Sequence, residues 1–139
     1  EEAEALRQAG AEYGAATGRP RRVGPIDLVA TRYGVQIQGA TEIALTKLDV
    51  LSYMKEIPVC VQYEIHGQKT DEFPFTAVVD EAKPVFTTMP GWGCDISGVR
   101  KWEDLPVEAR NYVEYIEKAI GCRISYVSVG ASRDEYIQR

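Results

Sequence analysis

The chain has 139 residues, with 16 Lys and Arg against 21 Asp and Glu, a formal net charge of −5. Apolar residues make up 45% and charged residues 27%, too apolar for a disordered tail and too acidic overall for a general nucleic-acid binder. One domain of this length builds its own core without a disulfide or metal staple, and no apolar run approaches the roughly 18 residues of a spanning helix.

In chain order, the first dozen residues, Glu1 to Glu12, read as a weakly amphipathic helix, and their acidic start is the opposite of a secretory n-region. Gly14-Ala15-Ala16-Thr17-Gly18-Arg19-Pro20-Arg21-Arg22-Val23-Gly24-Pro25 then holds two prolines and three glycines in twelve positions, which predicts a loop without regular structure. Pro25 is expected at the first position of the next helix, where its missing N–H costs nothing. That helix carries Ile26, Val29, Ala30, Tyr33 and Ile37 on its apolar face, Asp27 in its first turn and Gly39 as its stop. Glu42 to Thr46 is a short strand running into Lys47-Leu48-Asp49, and Leu51 to Glu56 is a connector or helical turn.

Val59, Val61, Tyr63 and Ile65 alternate with Cys60, Gln62 and Glu64, so Pro58 to Ile65 and Lys69 to Phe75 read as two strands joined around His66-Gly67. Lys83 to Thr88 is a further strand, and Pro90-Gly91-Trp92-Gly93 a turn. Pro106 opens the clearest helix, with Ala109, Tyr112, Val113, Ile116, Ala119 and Ile120 on one face and Gly121 at its end. Ile124 to Val129 is a last buried strand, broken by Gly130 and followed by a short polar tail. The order is mixed α and β with an antiparallel insert in the middle.

The three cysteines, Cys60, Cys94 and Cys122, have no CxxC spacing and an odd count, which fits buried or half-buried thiols in a reducing compartment, hence the cytoplasm. With the single His66, read as an exposed turn residue, they supply no zinc-ligand spacing.

Chemistry concentrates at three places. Arg19, Arg21 and Arg22 form a basic spot in an acidic chain; guanidinium forks bind carboxylate or phosphate bidentately, Thr17 adds a hydroxyl, and Gly18 lets backbone N–H groups approach a ligand. Lys47-Leu48-Asp49 follows a strand's carboxyl end, where ligands of α/β sheets bind. An Asp there can accept two hydrogen bonds from the N1–H and amino group of guanine, a donor pair that adenine lacks. Ser128-Val129-Gly130 is a second strand end. Each place has a plainer reading: a solvated basic loop, a surface turn, a strand stop.

The segments Gly14 to Arg22, Leu45-Thr46-Lys47-Leu48-Asp49-Val50-Leu51, Pro90-Gly91-Trp92, Asp95-Ile96-Ser97-Gly98-Val99, Asn111 to Glu117 and Ser128-Val129-Gly130 together resemble the adenylosuccinate synthetase family, in order and over nearly the whole chain. The resemblance covers the C-terminal part of that enzyme. It implies a P-loop-like mixed α/β fold with mainly parallel core strands and a small antiparallel insert. It divides the chain into residues 1–25 (helix and aspartate loop), 26–56 (helix and guanine-binding strand), 57–105 (antiparallel insert) and 106–139 (helix and terminal strand). The family is a cytoplasmic, dimeric ligase of AMP biosynthesis that joins IMP and L-aspartate at the expense of GTP, through a 6-phosphoryl intermediate that the aspartate amine displaces.

The resemblance also implies roles. Ala15, Ala16, Thr17, Gly18, Arg19, Pro20 and Arg21 would form the loop that receives aspartate, with Arg19 also touching the IMP ribose and Arg21 bridging to GTP. Lys47, Leu48 and Asp49 would hold guanine, and Ser128, Val129 and Gly130 would close its other side. The family's phosphate-binding Gly-rich loop, with its catalytic Asp and His and its Mg2+ ligands, has no counterpart in these residues, so this segment is expected to carry no catalytic residue and no metal ligand, and to be inactive alone. The chain departs from the family pattern at Ala16, where a Thr is usual, at Pro25, where a Trp is usual, and at Ala131-Ser132, where Pro-Asp is usual. Two other classes stay open: a non-catalytic module using Arg19, Arg21 and Arg22 for an anionic partner such as RNA, against which stand the −5 charge and the lack of interleaved aromatics, and a ligand-free structural domain.

Overall fold

The computed structural model describes residues 2–139. The elements are α1 (Glu2–Ala9), β1 (Ile26–Asp27), α2 (Leu28–Gln38), β2 (Glu42–Leu45), a 3-10 turn (Leu48–Tyr53), β3 (Glu56–Ile65), β4 (Gln68–Thr70), a second 3-10 turn (Thr76–Glu81), β5 (Lys83–Pro90), a third (Trp102–Asp104), α3 (Val107–Ile120), β6 (Arg123–Ser128) and β7 (Tyr136–Gln138).

Two sheets result. In the first, β3 pairs in parallel with β1 and antiparallel with β4 and β5. In the second, β6 is central, parallel to β2 and antiparallel to β7. The mixed α/β class expected from the sequence is the one observed. α3 lays Ala109, Tyr112, Val113, Ile116 and Ile120 into the core, which also takes Leu48, Ile57, Val59, Trp92, Ile124, Val127, Val129 and Ile137. Gly39 and Gly121 end α2 and α3 in the left-handed conformation, at φ 61° and 66°, where a side chain would be strained.

Several local expectations are corrected. Pro25 does not open α2. Ile26 and Asp27 pair with Val59 and Cys60, and Asp27 caps the helix, its carboxylate accepting from the Ala30 N–H at 3.0 Å. The other carboxylate oxygen accepts from the Tyr63 hydroxyl, so one side chain fixes the helix start and ties it to β3. Burial, then the Asp27 carboxylate, pushes the Tyr63 hydroxyl up in pKa and the Cys60 thiol likewise. Tyr33 and Ile37, expected on the apolar face of α2, are exposed; Tyr33 instead stacks on Phe73 with ring centroids 4.6 Å apart.

The β3–β4 hairpin turns at His66 and Gly67, both at positive φ, as the expected two-residue connection requires. His66 is exposed and pairs with Glu81 at 2.6 Å. β4 stops at Thr70, short of Phe75, because the Thr70 hydroxyl accepts from the Glu72 N–H at 3.1 Å and turns the chain out of the ladder. Cys60 and Cys122 are buried, but Cys94 is exposed. The segment after Gly130 is not a loose tail: β7 completes the second sheet, with Ile137 wholly buried. The Gly/Pro loop carries a single bridge, Tyr13 to Pro20.

Candidate functional site

The parallel pairing of β2 with β6 sets Leu45 opposite Val127, so the carboxyl ends of both strands lie side by side. Beyond β2, Lys47 takes the left-handed conformation, φ 62°, which a non-glycine residue adopts at a cost. That conformation brings the Lys47 N–H to the Ser128 hydroxyl oxygen at 2.8 Å. Two of the three segments singled out from sequence therefore meet in one hydrogen bond.

Leu48 follows and is 1% exposed, packed in the main core, so the turn is anchored by an apolar plug. Asp49 comes next. Its Oδ1 is buried and has no hydrogen-bond partner. Buried acceptors are nearly always satisfied, so an orphan carboxylate oxygen at a strand end marks a place built for an absent donor. On the β6 side, Val129 is wholly buried and its N–H donates to the Glu135 carbonyl at 2.9 Å. Gly130 is required there: a Cβ would lie 2.2 Å from a Glu135 carboxylate oxygen that accepts from the Ser132 N–H at 2.7 Å. Ala131 and Ser132 sit in this turn, where the usual Pro-Asp would stand.

The arginine loop is built differently. Its tip, Ala15 to Pro20, is exposed. Gly14 N–H donates to the Arg19 carbonyl and Gly18 N–H to the Gly14 carbonyl, both at 2.8 Å, while the Thr17 hydroxyl accepts from the Arg19 N–H at 3.4 Å. Gly18 stands at φ 65° with open space around it, so the turn needs its backbone freedom rather than its small size. The base is clamped from below. Arg21 N–H donates to the Glu12 carbonyl at 2.9 Å, and the Arg7 Nε of α1 donates to the Arg21 carbonyl at 3.0 Å. Arg7 pairs with Glu4, which also accepts from the Tyr13 hydroxyl at 2.9 Å. Arg22 is exposed.

Glu12, which the sequence reading passed over, joins the two regions. Its Oε2 accepts from an Arg21 guanidinium nitrogen at 2.9 Å, and its Oε1 accepts from the Lys47 ammonium. Lys47 donates a further bond to the Gly10 carbonyl at 2.9 Å. The Lys47 and then the Arg21 hydrogen bonds hold the Glu12 carboxyl below the usual carboxylate range. The structure thus gathers Arg21, Lys47, Leu48, Asp49, Ser128, Val129 and Gly130 around one neighbourhood. Among the described residues, Thr17 and Arg19 hydrogen-bond only within their own loop, and Ala15, Ala16 and Pro20 stay at its tip. No group of three or more His, Cys, Asp and Glu side chains among the described residues is placed to hold a metal ion. No helix among them is long and apolar enough to cross a membrane.

A mixed α/β chain with an unsatisfied carboxylate and a cationic loop at its strand ends has the build of a small-molecule site. The family model of adenylosuccinate synthetase matches residues 1–137, and the chain belongs to the adenylosuccinate synthetase family. It is 50% identical to the adenylosuccinate synthetase of Bifidobacterium adolescentis over 139 residues, 99% of this chain and 32% of that protein. It is 49% identical to that of Micrococcus luteus over 97% of this chain and 32% of that protein. A solved structure of fully ligated adenylosuccinate synthetase from Plasmodium falciparum superposes with a TM-score of 0.92 at 35% identity, covering 99% of this chain and 34% of the other. The chain spans about a third of the length of the relatives it matches.

Proposed function

We propose that this chain is the C-terminal, aspartate- and guanine-nucleotide-binding part of an adenylosuccinate synthetase that joins IMP and L-aspartate and converts GTP to GDP. In that reaction the terminal phosphoryl group of GTP passes to O6 of IMP, and the aspartate amine then displaces phosphate at C6. This chain's residues bind and orient the two anionic reactants, a catalytic contribution in itself. Thr17 and the backbone of Ala15, Ala16, Gly18 and Pro20 receive the aspartate carboxylates. Arg19 reaches aspartate and the IMP ribose, and Arg21 spans aspartate and GTP. Lys47, Leu48 and Asp49 cradle guanine, which Ser128, Val129 and Gly130 close from the other side. GTP chemistry of this kind uses Mg2+; the acidic side chains of this chain do not gather into a site for it, so no step here runs through a metal. The 139 residues alone give no turnover, and the enzyme works as a cytoplasmic homodimer.

The observation that carries this reading is the orphan Oδ1 of Asp49. A guanine N1–H and amino group supply the donors it lacks, and the clasp between Lys47 and Ser128 holds the carboxylate in place for them. The test is nucleotide selectivity of the full-length protein. Hydrogen bonds to a charged group contribute about 1.5–3 kcal/mol, so Asp49→Ala lowers the preference for GTP over ITP, which lacks the amino group, by at least roughly tenfold. An unchanged preference overturns the role given to Asp49.

A further inference from the structure

We infer that Glu12 is a positioning residue that couples the aspartate loop to the guanine turn. This rests on the reading of the site given above and extends it to a residue outside both binding segments. The geometry is specific. Glu12 is fixed by its own backbone at both ends, its N–H donating to the Arg7 carbonyl at 2.8 Å and its carbonyl accepting from Arg21. Its carboxylate is divided between two cations from different parts of the chain, Arg21 through one oxygen and Lys47 through the other. The Glu12 side chain is 20% exposed, against 55% for Arg21 and 49% for Lys47, so the anion is the sheltered partner and both cations face outward from it.

The donor inventory shows what this arrangement leaves free. Arg21 has five N–H donors, and a single guanidinium nitrogen engages Glu12, so a planar edge remains for a bidentate bond to a carboxylate or phosphate. Lys47 gives one donor to Glu12 and one to the Gly10 carbonyl. Its ammonium is held back against residues 10–12, which leaves the aliphatic stem and the backbone N–H side to shape the base pocket. Removing the Glu12 charge releases both cations together. Each then regains rotamer freedom that ligand binding must freeze, and two unpaired cations stand where one balanced cluster stood. Because one carboxylate serves both, its loss weakens aspartate and guanine nucleotide together, while the reacting groups, which it does not touch, are unchanged.

The experiment compares steady-state kinetics and direct GDP binding in full-length wild type, Glu12→Gln and Glu12→Asp. Gln keeps the shape and removes the charge; Asp keeps the charge on a stem one methylene shorter. With Glu12→Gln, KM for aspartate and KM for GTP each rise roughly tenfold and GDP binds correspondingly weaker, with kcat within about twofold of wild type. Glu12→Asp recovers part of both losses. A role confined to folding would lower kcat and soluble yield without this split. The inference is overturned if neither KM moves beyond twofold, or if only one moves. If wild type itself binds no guanine nucleotide, the functional reading fails first and the coupling fails with it, so the two failures are told apart by the wild-type control.

Discussion

The two halves of the site are held by opposite means. The guanine turn is held by burial: Leu48 is 1% exposed, Val129 is wholly buried, and the Ser52 hydroxyl accepts from the Trp92 indole N–H at 2.9 Å. Trp92 in turn packs against Tyr112 of α3, ring centroids 6.0 Å apart. The arginine loop is held by surface polar contacts, from Arg7, Glu4, Tyr13 and Glu12, with no buried side chain of its own. Buried apolar anchors cost several kcal/mol to remove, whereas exposed ion pairs contribute little each and open readily. A base that is always the same shape suits a rigid pocket. A reactant that enters and leaves each cycle suits a loop that opens without disturbing the core.

The comparison breaks hardest at Leu48. Leu48→Ala removes the plug of the turn and costs about 3 kcal/mol of unfolding free energy, within the usual span for buried Leu truncations. Denaturant unfolding measures it, and a loss below about 1 kcal/mol would mean that the turn is not core-anchored. The same variant displaces Asp49, so guanine selectivity falls along with stability.

Tyr112 gives the next largest effect. Burial pushes its hydroxyl up to about 12 from an ordinary value near 10. A neutral group whose folded pKa is raised stabilises fully below its unfolded pKa and loses that contribution as pH rises through the folded one. Unfolding free energy therefore falls by about 2 kcal/mol between pH 10 and 12 through this one side chain. Tyr112→Phe removes that share of the alkaline slope in a pH series of denaturant titrations. An identical slope in the variant would show that the ring does not report the anchored side.

What could be read from the sequence follows the range of the interaction. The face of α3 and its Gly121 stop were legible because helical spacing is local and its five buried positions repeat within one segment. The strand ends at Lys47 and Ser128 were legible as separate motifs, but the hydrogen bond between them spans 81 positions and has no local sign. β7 was missed because only Ile137 of its three residues is buried, too short for any period. The exchange of roles at Asp27, from first-turn residue to cap, hung on Tyr63, 36 residues away. Glu12 was hidden by its company: in an N-terminus rich in Glu, nothing local sets apart the one carboxylate that meets two cations. The orphan oxygen of Asp49 is a property of packing and has no counterpart in the string of residues.

The smallest expected effect sharpens the comparison most finely. Arg7→Ala deletes the Nε donor to the Arg21 carbonyl and the pair with Glu4, both on the surface, while leaving Glu12 and every core residue in place. If the loop is held only by such contacts, its opening becomes easier without any change in the rest. Hydrogen exchange separates the two: the amides of Gly14, Gly18 and Arg21, all bonded within or beneath the loop, exchange roughly threefold faster. The Val50 amide, bonded to the Lys47 carbonyl in the guanine turn, and the Val129 amide keep their wild-type rates. Equal acceleration at Val50 would mean that loop and turn open as one unit, and that burial of Leu48 does not insulate the pocket from the loop.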